Sequence, residues 1–239
     1  MINRIRKKLN REMGKLTSRK MAEFPAGRMV ASFTFDDFPF SAKDAGARIL
    51  EERGVRGTFY ASLGSFDRVG FPSRNDLLEL VAEGHEVGGH TYSHIDCGAV
   101  PVDQVRSDCL KNTREILDIT GAKVNAFAYP FGEFSPGSKK LIGELYATAR
   151  MVQPGINRNS IDLLALYAVP IDIRGGLEMV NKWLLDLQRD GGWAIFYTHG
   201  VCENPTAYDC TEELLSESVD LCREAGCELM TVREASSLC

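Results

Sequence analysis

The sequence predicts an α/β fold in which a mostly parallel sheet of seven or eight strands closes, or nearly closes, into a barrel. Three observations carry this. Apolar runs of strand length alternate with amphipathic helical stretches, the pattern of a parallel sheet joined by helices. The 239 residues fit one large domain, within reach of a single barrel. The residues with chemistry to offer fall just after the strands, on the side where α/β barrels keep their sites.

Residues 1–20 place Ile2, Ile5, Leu9, Met13 and Leu16 at spacings of three and four, with basic residues between them, which predicts an amphipathic helix with a cationic face. Such a helix either makes peripheral contact with an anionic membrane surface or packs on its own barrel or another subunit. Glu23 to Gly27, around Pro25, reads as a linker. The domain organisation is thus a basic arm over residues 1–28 and a catalytic domain over 29–239.

Met29–Phe35 is a strand, and a helix follows near Lys43–Arg53 until Gly54 stops it. Thr58–Ala61 is a short strand. The helix from about Ser73 to Glu83 has Ser73 to open it and Gly84 to close it. His85–Gly88 is the third strand. Pro101–Thr120 is a helix with Pro at its start and Gly121 beyond its end. Val124–Tyr129 is a strand, Ser138–Tyr146 a helix, and Ala147–Val152 and Leu166–Ile173 two more strands. Leu177, Val180, Leu184 and Leu187 share one face of a helix over Gly176–Gln188. The dense apolar strand Trp193–Thr198, a helix over Thr211–Ala225, strand Glu228–Met230 and a short terminal helix complete the chain.

Composition narrows the function. Hydrophobic residues make up 44% and charged residues 26%, ordinary for a globular protein, and no stretch approaches the roughly 20 apolar residues of a membrane-spanning helix. A charged start without an apolar core or cleavage site behind it does not read as a secretory signal, so the expected compartment is the cytoplasm. Seven cysteines, an odd number without a Cys-x-x-Cys pair, suggest neither a disulfide framework nor a thiolate zinc site. The net charge of −5 hides an asymmetry: residues 1–28 hold nine Lys/Arg against Glu12 and Glu23, a balance of +7, which leaves −12 for the remainder. A nucleic-acid enzyme would carry its basic residues around a cleft and not on one arm, so no nucleic-acid partner is expected.

Asp36 and Asp37 end the first strand, where one acid can turn toward a metal while the other waits beside it as a base. Taken alone, the pair reads equally well as a strand-terminating turn with a helix cap. The histidines decide between these. His90 and His94 follow the third strand in Gly-His-Glu-Val-Gly-Gly-His-Thr-Tyr-Ser-His, and His199 follows the Trp193–Thr198 strand, so three of the four histidines fall at strand ends. Four residues apart on a helical turn, His90 and His94 would lie side by side and could share a metal. Two imidazoles and one acid suit a hydrolytic zinc or a non-haem iron; the spare acid and the remote histidine favour hydrolysis. His85, in a Gly-His-Glu turn, reads as structural.

Thr34-Phe35-Asp36-Asp37, His90-Thr91-Tyr92-Ser93-His94, Phe127-Ala128-Tyr129-Pro130-Phe131-Gly132 and Ile195-Phe196-Tyr197-Thr198-His199, in that order, resemble the motifs of the polysaccharide deacetylase (NodB-homology, carbohydrate esterase family 4) family. The resemblance runs from about residue 29 to the C-terminus. It implies a distorted (β/α) barrel of seven or eight mostly parallel strands, holding one divalent metal ion, zinc first and cobalt, nickel or manganese after it. It also implies removal of an acetyl group from an N-acetylated sugar or saccharide intermediate. By position, Asp37, His90 and His94 would be metal ligands, Asp36 the base and His199 the acid. The Phe131 N–H, just past Pro130, would hold the oxyanion, with Tyr129 and Gly132 in the same substrate-binding turn.

Two departures stand out. Ala128 occupies a position where relatives often carry an Arg paired with the base, so either the Asp36 pKa is tuned differently or Arg150 or Arg174 substitutes from a neighbouring strand. Phe38 replaces a common Gly and is expected to narrow the groove or stack on a sugar ring. Asp172 is the candidate to orient His199, or else caps the next turn. An esterase or deformylase on the same metal site, and a carbohydrate-binding protein without catalysis, are the alternative functions.

Overall fold

The computed structural model describes the backbone of residues 2–239 and the side chains of residues 8–239. In chain order the elements are α1 (Ile2–Leu16), β1 (Met21–Glu23), β2 (Met29–Asp36), α2 (Arg48–Glu52), β3 (Thr58–Ala61), α3 (Arg74–Ala82), β4 (Glu86–Gly89), α4 (Val102–Thr120), β5 (Ala126–Ala128), α5 (Pro136–Leu145), β6 (Thr148–Arg150), β7 (Ser160–Asp162), β8 (Val169–Pro170), α6 (Gly176–Asp190), β9 (Gly192–Thr198), α7 (Glu212–Glu224), β10 (Glu228–Leu229) and α8 (Val232–Ser236).

Eight strands pair in parallel in the order β6-β5-β4-β3-β2-β9-β8, with β10 beside the first half of β2 and β3 beside its second half. The sheet curls into a distorted barrel. Its seam is thin: between β6 and β8 stand the bridge Arg150–Leu166 and the Met151 N–H donating to the Leu166 carbonyl at 2.8 Å.

Strand alternation sorts the core into two layers. Val30, Tyr60, Ala126, Ala128, Trp193 and Ile195 pack inside the barrel. Ala31, Phe33, Phe35, Phe59, Phe127 and Phe196 pack between sheet and helices. On β2 the even positions therefore face inward. Ser32 takes the Trp193 indole N–H at 2.9 Å, Thr34 donates to the Phe196 carbonyl at 3.0 Å, and Asp36 ends the inner row. The capping signals are used as read: Ser73 and Asp76 form a reciprocal box at the start of α3, and Gly121, at φ 68°, closes α4.

Two features of the N-terminal region differ from expectation. The stretch read as a linker from Glu23 is partly structured: β1 pairs antiparallel with β7, and Phe24 is buried and stacked on Trp193. Helix α1 does lie on the barrel, but not through its apolar stripe. It docks by the opposite side, through Asn10, Arg11 and Gly14. Lys139 of α5 donates to the Gly14 and Thr17 carbonyls at 2.9 and 3.1 Å and pairs with Asp162. A Cβ on Gly14 would come within 2.6 Å of the Phe134 ring. The side chains of Ile2 and Ile5 lie outside the described residues.

Candidate active site

Asp36 is buried at the end of β2 and points into the barrel. Strict alternation would send Asp37 outward to the helices. The chain instead leaves the strand with Asp37 at φ 54°, and the second carboxylate stays at the mouth. Its Oδ1 lies 3.5 Å from His90 Nε2 and 3.3 Å from His94 Nε2.

The histidine pair is built on a loop. Residues 90–94 are not helical, correcting the expected helical turn; Thr91 and His94 take φ values of 58° and 51°. Such conformations cost about 1–2 kcal/mol each in L-residues, and surrounding bonds hold them here. Asp108 on α4 accepts the N–H groups of Tyr92 and Ser93 at 2.6 and 2.9 Å, and the Ile95 N–H donates to Thr91 Oγ1 at 3.0 Å. Four of the seven non-glycine residues with positive φ described here (Asp37, Thr91, His94 and Phe131) stand at this one site.

His90 Nδ1 lies 2.8 Å from the Ala128 carbonyl. A carbonyl only accepts, so the ring proton sits on Nδ1 and the Nε2 lone pair faces Asp37 and His94. Burial lowers the His90 pKa to about 4 against the pull of Asp37, which keeps the ring neutral at pH 7. Asp37, His90 and His94 offer ligand atoms within 4.8 Å of one another.

A second cluster with this spacing, Glu51, Glu83 and His85, is differently wired. His85 Nδ1 accepts the Gly57 N–H at 3.0 Å, so its proton is on Nε2 and faces Glu51 at 2.9 Å. That nitrogen donates a hydrogen bond and has no lone pair for a metal. His85 is structural.

Arg150, fully buried on β6, pairs through Nη2 with Asp36 Oδ1. It stands opposite Ala128 in the β5–β6 register, so the cation sits one strand over at the same level of the barrel. The guanidinium lies between the rings of Tyr60 and Tyr197, 4.7 and 5.0 Å from their centroids. Burial lowers its pKa to about 9, leaving it charged at neutral pH. Arg174 does not share this role. It pairs with Asp172, whose other oxygen accepts the N–H groups of Arg174 and Gly175 ahead of α6. Asp172 is thus a turn cap and not the partner of His199. His199 Nδ1 and its backbone N–H both lie 3.2 Å from the Tyr208 carbonyl. Burial lowers the His199 pKa, and Asp37 opposes the shift.

These side chains line a cavity of about 440 Å³ containing Asp36, Asp37, His90, His94 and His199, walled by Phe131, Val152, Tyr197 and Tyr208. Phe131 is exposed at the rim, at φ 61°, with its ring 4.6 Å from that of His94. The neighbouring Gly132 and Glu133 N–H groups donate back to Tyr129 and Pro130, whereas the Phe131 N–H has no backbone acceptor among the described residues.

The other expected wall residues are not there. Phe38 is fully buried, edge-on to Phe59 and Phe66, because the turn at Asp37 sends it into the helix layer. Tyr129 is buried, with its hydroxyl on the Leu164 carbonyl at 3.2 Å. Pro130 is buried, and Gly132 (φ 66°) is needed where a Cβ would strike Val152 at 2.4 Å. Sequence reasoning missed Val152, Tyr208, Asp108 and Asp209. Asp209 accepts the Gly200 N–H at 2.7 Å and holds the loop that presents Tyr208. For Tyr197 a signal existed: it continues the inward row of Trp193 and Ile195.

The family profile described as polysaccharide deacetylase matches residues 25–149. The chain belongs to the polysaccharide deacetylase family. Within it, the chain is 24% identical over 205 residues to a chitin deacetylase of Arthroderma benhamiae, covering 85% of this chain and 50% of that protein. It is 32% identical over 113 residues to a peptidoglycan-N-acetylglucosamine deacetylase of Bacillus cereus, covering 46% of this chain and 38% of that one. The chain thus spans half or less of the length of these relatives. In fold it is similar to the carbohydrate esterase domain of a multidomain xylanase from the hindgut metagenome of Trinervitermes trinervoides. The TM-score is 0.64 at 19% identity, over 88% of this chain and 91% of that domain.

Proposed function

We propose that this polysaccharide deacetylase is a metal-dependent hydrolase that removes the N-acetyl group from an amino sugar or saccharide intermediate. One observation carries the reading. A neutral His90, His94 and Asp37 converge on one point, with the Arg150-paired Asp36 and the lone His199 lining the same cavity. The donor set fits a divalent ion, zinc first: two imidazoles and a carboxylate leave coordination positions open, and the Ala128 carbonyl fixes His90 in the tautomer a ligand needs. When bound, the ion supplies Lewis acidity toward an acyl oxygen and toward water.

The remaining work belongs to side chains. Asp36, held by the Arg150 charge, accepts the proton of the attacking water. The Phe131 N–H is the donor for the oxyanion that develops on the acetyl carbonyl. His199 donates its Nδ1–H to the Tyr208 carbonyl and, as the imidazolium that the nearby Asp37 favours, gives its Nε2 proton to the departing sugar amine. Phe131 and Tyr208, exposed at the rim, offer aromatic faces to a sugar ring.

The test is mass-spectrometric screening for acetyl loss from N-acetylated chito-oligosaccharides, peptidoglycan fragments, and nucleotide- and lipid-linked amino sugars. It is run on metal-loaded protein with and without a chelator. Acetyl loss that the chelator abolishes is the expected result. No loss from any member, or loss indifferent to the chelator, contradicts the reading.

A further inference from the structure

Helix α1 carries its apolar stripe on the side away from the barrel. At 100° per residue, Leu9, Met13 and Leu16 cluster on one side of the helix, while Asn10, Arg11 and Gly14, which touch the barrel, fall on the other. Leu9 is 57% exposed, Met13 49% and Leu16 77%, and Met21 just beyond is 44% exposed. A core-packing helix shows the reverse. In sequence, Ile2 and Ile5 extend the same spacing.

The flanks are cationic. Lys8 and Arg19 are exposed near the stripe, as is Lys20, whose ammonium donates to the Ala147 carbonyl at 3.0 Å; Lys15 is half-buried toward the barrel. Between residues 8 and 20 the one acid is Glu12, bonded to Lys15 at 3.2 Å. The arm carries +7 and the rest of the chain −12, so near an anionic surface the field turns the arm toward it and the body away. Apolar side chains flanked by cations are the chemistry of a helix lying in the boundary between headgroups and acyl chains.

We propose that α1 docks this protein on an anionic lipid bilayer through Leu9, Met13 and Leu16, with Lys8 and Arg19 meeting the headgroups. The helix rests on two loops that build the site. Asn10 donates to the carbonyl of Gly98, in the segment after the histidine loop, and Arg11 pairs with Glu133 at 2.8 Å, two residues past Phe131. A bilayer on the stripe would thus lie across α1 from these loops, one helix diameter away. Among the described residues no helix is long and apolar enough to cross a membrane, which makes this contact peripheral.

Lipid binding is measured without turnover, so it stands or falls apart from the deacetylase reading. The full chain is co-sedimented with vesicles of phosphatidylcholine alone and of phosphatidylcholine with about 30% phosphatidylglycerol. Expected is binding to the anionic vesicles, weakened by salt. The Leu9→Ser/Met13→Ser/Leu16→Ser variant, changed only at exposed positions, should lose it by about tenfold or more. Each of Lys8→Gln and Arg19→Gln should weaken it about fivefold. Circular dichroism of the variants verifies the fold. Equal affinity for both vesicles, no binding to either, or binding retained by the triple variant overturns the proposal. So does a dimer in sedimentation velocity that the triple variant converts to monomer, which would assign the stripe to a second copy of the chain.

Discussion

Arg150 on β6 reaches across the inside of the barrel to Asp36 on β2 from the register position opposite Ala128. The cation expected beside Asp36 thus comes from β6, one strand over from Ala128 at the same height of the barrel. The carboxylate proposed as base is thereby set against a buried positive charge on the inner wall.

The pair can be moved back. Arg150→Ala should lower kcat/KM by about 10²-fold, since it strands the carboxylate proposed as base. The volume-conserving swap Ala128→Arg/Arg150→Ala should recover at least about tenfold of that loss. Steady-state kinetics on one N-acetylated substrate measures both. A swap no better than the single variant would refute the equivalence of the two positions.

Metal content tests the convergence of the three proposed ligands. Asp37→Ala, His90→Ala and His94→Ala should each weaken metal binding by about 10²-fold or more, whereas His85→Asn should leave it unchanged. Metal analysis after dialysis distinguishes the two clusters. Metal lost on changing His85 would contradict the tautomer assigned to it.

Phe131 separates binding from backbone strain. Phe131→Ala should raise KM about tenfold with little change in kcat, because the backbone N–H remains. At φ 61° alanine is strained and glycine is not, so Phe131→Gly should be more stable than Phe131→Ala by about 1 kcal/mol in thermal unfolding.

Acid should destabilise the fold through His85. Burial, then the nearby Arg56, lowers its folded pKa to about 4 from an ordinary 6.5, so the unfolded chain takes up the proton first as pH falls. Stability is whole above pH 6.5 and declines through the window down to about 4. The decline amounts to at most about 3 kcal/mol, with the charge of Glu83 opposing it. Unfolding midpoints across this window should fall less steeply for His85→Asn than for the parent chain.

The barrel was legible because its signals are local. Apolar runs, Ser73, Gly84, Pro101 and Gly121 mark strands and helix ends within a few residues of themselves. The residues the site brings together were legible from motifs at strand ends. What could not be read depends on backbone turns and distant partners. Asp37 at φ 54° decides that Phe38 is core and not rim, and nothing in Asp-Asp-Phe announces that turn. Asp172 met its own turn before it could meet His199, which found a backbone carbonyl 9 residues onward instead. The pairing of Arg150 with Asp36 spans 114 residues and follows from register alone. The outward stripe of α1 turns on Gly14 lying flat against Phe134, a contact invisible to periodicity.

The most direct test of the central claim is the rate of acetate release from an N-acetylated chito-oligosaccharide by metal-loaded protein beside metal-loaded Asp36→Asn. The expected result is steady release by the parent chain, slowed about 10²-fold or more in the variant while metal content stays the same. No acetate from the loaded parent chain, or equal rates from both proteins, would contradict it.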